Sequence, residues 1–445
     1  MLRSGCNHRQ ASRLSTMRLS RPTNAIDDTT NFVRQHYHDF LNREPDASGL
    51  AFWVNNIESC GANAQCREVK RIDTSAAFFL SIEFQQTGFL AYRTYAAAFG
   101  TSRVISTVPL TQQEFLTDTQ RLGNGVIIGN AGAEAQLEAN KVAYFNQFVT
   151  RPEFVTKYPA ALTNDQYVDN LLASAGLSPS QVRLFVVNLT NSQEVPPTNP
   201  TLSGGGARPA SFGTARFQFN PAQTSMTMTA TISNIDVGNA QTPDTNDNLV
   251  AAHIHAGAAV APGVNGGVVW GFFGAPFNDN NPNDSSFTLT PGGVGATFTG
   301  KWDPPEGNGT TLAAQLANLR AGRAYINFHT VQFGGGEIRG NFPAEDAFRN
   351  SLVAGLNAGT ETRATVLRKV AEQEELGLKE FNRAFVLMQY FGYLRRNPND
   401  PPDADFSGFT FWLNKLNTFN GDFRAAEMVK AFISSIEYRK RFGLN

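Results

Sequence analysis

The chain has 445 residues, enough for two or three domains, each with its own core. Its 37 Lys and Arg residues nearly balance 38 Asp and Glu, so charge alone gives no argument for non-specific nucleic-acid or membrane-surface binding. No run of about 18 apolar residues occurs, so no transmembrane segment is expected. Residues 1–22 hold Arg3, Arg9, Arg13, Arg18 and Arg21, with no acid before Asp27. An apolar stretch of about 7–15 residues does not follow, so no signal peptide is recognisable. The segment reads as a disordered basic lead-in, or as a chain start that is not the natural one.

From Asp28 the pattern turns helical, with Phe32, Val33, His36, Tyr37, Phe40 and Leu41 on one stripe. His36 and His38 read as structural or solvated rather than as ligands. Pro45-Asp46 and Gly49 are turn chemistry. Cys60 and Cys66 bracket a short polar loop that closes as a small disulfide if the compartment oxidises. Val69 to Gln86 reads as one helix, with Ile72, Ala76, Phe79, Leu80 and Phe84 inward and Gly88 as its C-cap. Thr111-Gln-Gln-Glu114 is a capping-box signature, and Asn164 caps a helix that Gly176 closes.

The period then changes to two. Met226-Thr-Met-Thr-Ala-Thr-Ile232 alternates apolar and threonine side chains, as a strand with one buried face does. Further short strands lie between turn-rich loops up to about Pro343, which argues for a sandwich or barrel. After Asp346 the helical period returns: Thr362 to Arg395 carries a long stripe broken near Gly377, and Phe423 to Phe442 forms a last helix. The expected architecture is multidomain α plus all-β. An Ig-like or Greek-key antiparallel β-sandwich (182–345) is inserted into an all-α host, made of a helical domain at 23–181 and another at 346–445. Insertion requires the insert's ends to meet, which predicts that Leu184–Leu189 and Ile338–Phe342 are neighbours.

A repeat links the two helical ends. Tyr37-x3-Leu41-x-Arg43-x-Pro45 … Gly49-x2-Phe52-Trp53 returns as Tyr390-x3-Leu394-x-Arg396-x-Pro398 … Gly408-x2-Phe411-Trp412. Ser81-Ile-Glu-Phe84 and Ser435-Ile-Glu-Tyr438 follow them. Matching types in matching order indicate internal duplication, and the second repeat is expected to pack on the first. These repeats resemble the bacterial domain of unknown function numbered 4214, found in large extracellular and surface proteins, for which no activity is established. The β region resembles the chordin-type (CHRD) domain through Leu189-Thr-Asn-Ser-Gln-Glu-Val-Pro-Pro197, Ala252-His-Ile-His-Ala-Gly257, Ala324-Tyr-Ile-Asn-Phe-His-Thr330 and Gly335-Gly-Glu-Ile-Arg-Gly340. That resemblance implies an extracellular β-sandwich.

Alternation on a strand puts His253 and His255 on one face, and Tyr325, Asn327 and His329 on another shared face. If Ile254, Ile326 and Phe328 fill the core, the polar side chains project away from it. Should these strands be neighbours, His253, His255 and His329 converge with Glu337. Three imidazoles suit copper or zinc; the competing reading is structural polar packing. Asp400, Asp403 and Asp405 form an acidic loop that offers calcium a site or is a solvated turn, without EF-hand spacing. No Gly-x-Ser-x-Gly elbow and no catalytic triad is found, so the chain is not expected to be an enzyme. Three functions stand. One is a non-catalytic extracellular or cell-surface binding and scaffold protein, taking an unknown protein or a surface polymer. The second is a copper- or zinc-binding protein with a redox-related role. The third is a self-associating matrix or filament subunit.

Overall fold

A computed structural model describes residues 24–103 and 107–443, so the basic lead-in lies outside the described residues. The chain divides into two units. One takes in Met1–Tyr92, Leu110–Lys141 and Phe381–Asn445; the other takes in Arg93–Pro109 and Val142–Glu380.

The first unit is helical, and both copies of the repeat lie in it. Each copy opens on a π-helical turn, Tyr37–Leu41 or Gln389–Leu394, a wider winding than the α-helix. Each turn ends on a left-handed residue, Asn42 (φ 55°) or Arg395 (φ 58°). The next residue is an arginine bound bidentately to the glutamate of the Ser-Ile-Glu element. Arg43 Nε and Nη2 lie 2.7 and 2.8 Å from Glu83, and Arg396 Nε and Nη2 lie 2.6 and 3.1 Å from Glu437. Each guanidinium also sits over the repeat's own tyrosine ring, at 5.0 Å (Tyr37) and 5.4 Å (Tyr390). Gly49 and Gly408 pass against the hydroxyls of those two tyrosines, leaving no room for a Cβ. The copies meet where the ring of Phe40 packs edge-on against that of its counterpart Tyr393, 5.2 Å between centroids.

The single helix expected over Val69–Gln86 is instead two, Ala64–Leu80 and Ile82–Gln86. Ser81 breaks it by adopting an extended backbone and accepting the Phe84 N–H with its hydroxyl, which starts a new helix. Ser435 does the same for Tyr438. Leu80 consequently points outward, at 49 % exposure, and Gly88 begins a helix rather than capping one. Likewise the helix before Gly176 is capped by Thr163 rather than Asn164. The long stripe after Thr362 breaks at Glu372, ahead of Gly377.

In the second unit nine strands form one antiparallel sheet: β1 (Leu184–Thr190), β2 (Phe212–Phe219), β3 (Met226–Ser233), β4 (Leu249–Ala256), β5 (Val268–Phe273), β6 (Ser286–Leu289), β7 (Gly295–Trp302), β8 (Ala324–Thr330) and β9 (Ile338–Asn341). Their order across the sheet is β5-β4-β8-β9-β1-β2-β3-β7-β6. The sheet curls over, so that its two halves face each other across a shared core. Trp270 of β5 stacks on Trp302 of β7 at 5.8 Å, and Phe328 of β8 meets Phe298 of β7 at 5.5 Å. Alternation along β3 is complete: Met226, Met228, Ala230 and Ile232 are buried and the threonines between them exposed. β1 pairs with β9 through Thr190 and Arg339, and Phe185 packs near Phe342 at 6.2 Å, so the ends of the β region are neighbours. The helices on either side are tied together: Arg349, from Ala347–Ala358, binds Asp165 and Asp169, from Asn164–Ala175, at 2.7 and 2.8 Å.

Candidate metal centre

β4 and β8 lie side by side, with Ala251 opposite His329, His253 opposite Asn327 and His255 opposite Tyr325. Ile254, Ile326 and Phe328 point into the core. His253, His255 and His329 therefore share the other face, with one ring nitrogen of each within 4.8 Å of the others. That face is sealed rather than open: the three histidines are only 4, 7 and 7 % exposed. Loops close over it, and Gly271 makes this possible, since a Cβ there would strike the Pro276 carbonyl and come within 3.0 Å of the His253 ring.

The same loops fix the tautomers. His253 Nε2 faces the Ala275 carbonyl at 3.1 Å, His255 Nδ1 the Gly266 carbonyl at 3.0 Å, and His329 Nδ1 the Gly334 carbonyl at 3.1 Å. A carbonyl only accepts, so each of these nitrogens carries the hydrogen and donates it. The lone pairs left over are on His253 Nδ1, His255 Nε2 and His329 Nε2. The His255 nitrogen is buried with no hydrogen-bond partner, and the other two face each other at 3.2 Å. Burial, followed by repulsion from the neighbouring imidazoles, holds His253 at a pKa of about 4. Burial likewise holds His255 at about 4 and depresses His329. At neutral pH all three rings are uncharged, and no proton remains to bridge the 3.2 Å gap. An electrophile satisfies all three lone pairs. Metal–nitrogen bonds of about 2.0–2.1 Å at tetrahedral angles separate two ligand nitrogens by roughly 3.3–3.4 Å, close to the 3.2 Å between His253 Nδ1 and His329 Nε2, while the third ring offers a nitrogen within 4.8 Å of the others.

Around this cluster the packing is specific. His255 stacks on Tyr325 at 4.6 Å with 5° between the planes, and the Arg339 guanidinium covers Tyr325 at 3.6 Å. Arg339 is fully buried and donates to Asn265, Ala261 O and Val264 O. It thereby holds the loop that supplies Gly266. Carbonyl partners of this kind orient metal-binding imidazoles.

Glu337 is not part of the cluster. It precedes Ile338, the first residue of β9, so strand alternation does not reach it. Its carboxylate accepts from Arg208 Nη2 at 2.6 Å, from the Thr330 hydroxyl at 2.7 Å and from the Ser211 hydroxyl. The acidic loop does not converge either. Asp400 accepts from the Asn397 backbone and side chain at 2.8 and 2.9 Å. Asp403 pairs with Arg396 at 2.7 Å, and Asp405 accepts the Ser407 N–H at 2.8 Å as a helix begins. The three carboxylates thus serve three different partners. Cys60 and Cys66 are joined by a disulfide. His36 is buried between Phe32 O (2.7 Å) and the Ser75 hydroxyl (2.7 Å), and His38 pairs with Glu44 at 2.8 Å.

Sequence reasoning passed over the carbonyls of Gly266, Ala275 and Gly334, because backbone groups leave no residue signature. It also passed over Glu194, a buried carboxyl whose pKa burial raises to about 7 and which lies beside Asn327 and Arg339. Its place in the Gln-Glu-Val-Pro-Pro motif was the available signal.

Residues 185–342 match the family model of the CHRD domain, and residues 23–88 match that of the domain of unknown function (DUF4214). No curated protein and no solved structure matches the chain. No helix among the described residues is long and apolar enough to cross a membrane. The chain thus joins an N-terminal DUF4214 domain to a CHRD domain, a pairing that points to a binding or scaffold role.

Proposed function

We propose that this is a non-catalytic binding and scaffold protein, extracellular or at a cell surface, whose CHRD domain holds one copper or zinc ion through His253, His255 and His329. The carrying observation is the hydrogen-bond bookkeeping: three neutral imidazoles, each donating to a loop carbonyl, keep three unprotonated nitrogens in one buried cluster, two of them facing each other at 3.2 Å and the third without a partner. Neutral nitrogen donors without a carboxylate suit zinc or copper rather than magnesium or calcium. The sealed face favours an ion that is held over one that turns over substrate. The disulfide and the CHRD domain support an oxidising location.

The test is metal analysis and melting of the full chain loaded separately with zinc and with copper. One ion per chain is expected. Ligand at a hundred times its dissociation constant adds about 2.7 kcal/mol to stability, which for a domain of this size raises Tm by roughly 5–11 °C. His253→Ala with His329→Ala should abolish both effects. A folded wild-type chain that takes up neither metal, or a variant that retains it, refutes the reading.

A further inference from the structure

The duplicated helical unit keeps more than its interior. Phe52 and Ile82 of the first copy are 63 and 68 % exposed, and their counterparts Phe411 and Ile436 are 58 and 66 % exposed. The copies have diverged where folding permits: Phe40 corresponds to Tyr393, Phe84 to Tyr438, His36 to Gln389, and the second loop is longer. Side chains that stand mostly in water do little for the fold, and duplication leaves them free to change. Both copies nevertheless present a phenylalanine, the tryptophan after it and an isoleucine, around the same arginine–glutamate pair.

In the first copy these residues line a groove of about 600 Å³, walled by Tyr37, Arg43, Asp46, Phe52, Trp53 and Glu83. The volume falls within the range of ligand clefts. Among the described residues Arg43 is the one cation lining that groove, and it and its counterpart Arg396 are each engaged by two carboxylates. Arg43 pairs with Glu83 and, at 3.7 Å, with Asp46; Arg396 pairs with Glu437 and Asp403. That groove thus sets two carboxylates against one guanidinium, which argues against nucleic acid, anionic polymers and anionic lipid there; in the second copy Lys415 lies over Trp412 at 5.3 Å. A buried aromatic ring covers about 150–250 Å², whereas a standard protein interface needs about 800 Å² per partner. Phe52, Leu80 and Ile82 in the first copy, and Phe411 and Ile436 in the second, fall short of that. What such a groove does fit is a sugar ring: its C–H face lies on the aromatic, and its hydroxyls meet carboxylate oxygens and guanidinium N–H groups.

We propose that the two copies form a pair of equivalent sites for a neutral polysaccharide, centred on Phe52 and on Phe411. Two like sites on one unit suit a ligand that is itself a repeat, because the second contact is made at high effective concentration. The inference is independent of the metal centre.

The experiment is co-sedimentation of the full chain with cellulose, chitin and cross-linked dextran, with heparin beads as the charged control and circular dichroism as a check on folding. Retention on at least one neutral polymer, unaffected by salt and absent on heparin, is expected. Phe52→Ala or Phe411→Ala should each weaken it at least tenfold, and the double change should abolish it. Ile82→Ser with Ile436→Ser, which leaves the rings in place, should weaken it in the same direction. Failure to bind all three neutral polymers overturns the proposal, as does a folded double variant that binds like the wild type. A wild-type chain that self-associates by light scattering, binds no polymer, and is made monomeric by the double change would assign the patches to contacts between copies instead.

Discussion

Glu337→Gln separates the fold of the CHRD domain from its candidate metal centre. Glu337 is fully buried, and its partner Arg208 has a side chain only 4 % exposed. The glutamine keeps the size but removes the charge opposite a guanidinium that has little access to water. It also replaces one of two acceptor oxygens with a donor, where Arg208, Thr330 and Ser211 all donate. Breaking a buried ion pair from one side costs about 3–5 kcal/mol, mostly the cost of the stranded charge. For a domain of this length that lowers Tm by roughly 6–20 °C. Removing both charges, with Arg208→Met and Glu337→Leu, should recover most of the loss, since apolar replacements of similar volume are often neutral. Thermal and urea melts of the three proteins, with metal analysis of each folded sample, are the assay. A single change costing less than about 1 kcal/mol would refute the burial argument. Loss of metal from folded Glu337→Gln would return the carboxylate to the imidazole cluster.

Two further predictions concern pH. Burial holds His36 at a pKa of about 3, so between its ordinary 6.5 and 3 the unfolded chain binds a proton that the native chain does not. The resulting stability is present above pH 6.5 and declines by about 1.4 kcal/mol per pH unit on acidification. Gln389 fills the same place in the second copy, donating to Phe385 O at 3.0 Å. His36→Gln should therefore cost little at pH 7 and flatten the acid limb of urea titrations at pH 4, 5.5 and 7; an unchanged limb would refute this. For Glu194 the sign is opposite. Its pKa is raised from 4.5 to about 7, so the native state holds a proton across that window and stability falls as pH rises through it. Glu194→Gln should stabilise the chain at pH 8 by on the order of 2–3 kcal/mol and do nothing at pH 4; equal effects at both would rule out the carboxyl's titration as the cause.

Much of this architecture is legible from residue patterns, for identifiable reasons. The Met/Thr alternation of β3 marks a strand with one wet face, and the three histidines fall on one side of β4 and β8 because strand parity is a counting rule. The repeat is readable because duplication preserves order. The site's enclosure is not, since it depends on where loop carbonyls at Gly266, Ala275 and Gly334 come to rest. The fate of Glu337 hung on Arg208, a residue 129 positions away in an unmarked loop. The breaks at Ser81 and Ser435 were missed because an apolar stripe continues through them; only the serine's capacity to cap betrays the interruption.

The contact between Phe40 and Tyr393 also sets an order of assembly. At about 5–20 residues per second on the ribosome, the phenylalanine emerges roughly 20–70 s before the tyrosine it will meet. The CHRD domain, encoded wholly in between, has time to fold during that wait. The first repeat to be synthesised is thus among the last parts of the molecule to be completed, and for most of translation one of its apolar flanks has nothing to lie against. Nascent chains stalled before residue 390 should be the ones that chaperones hold and proteases find.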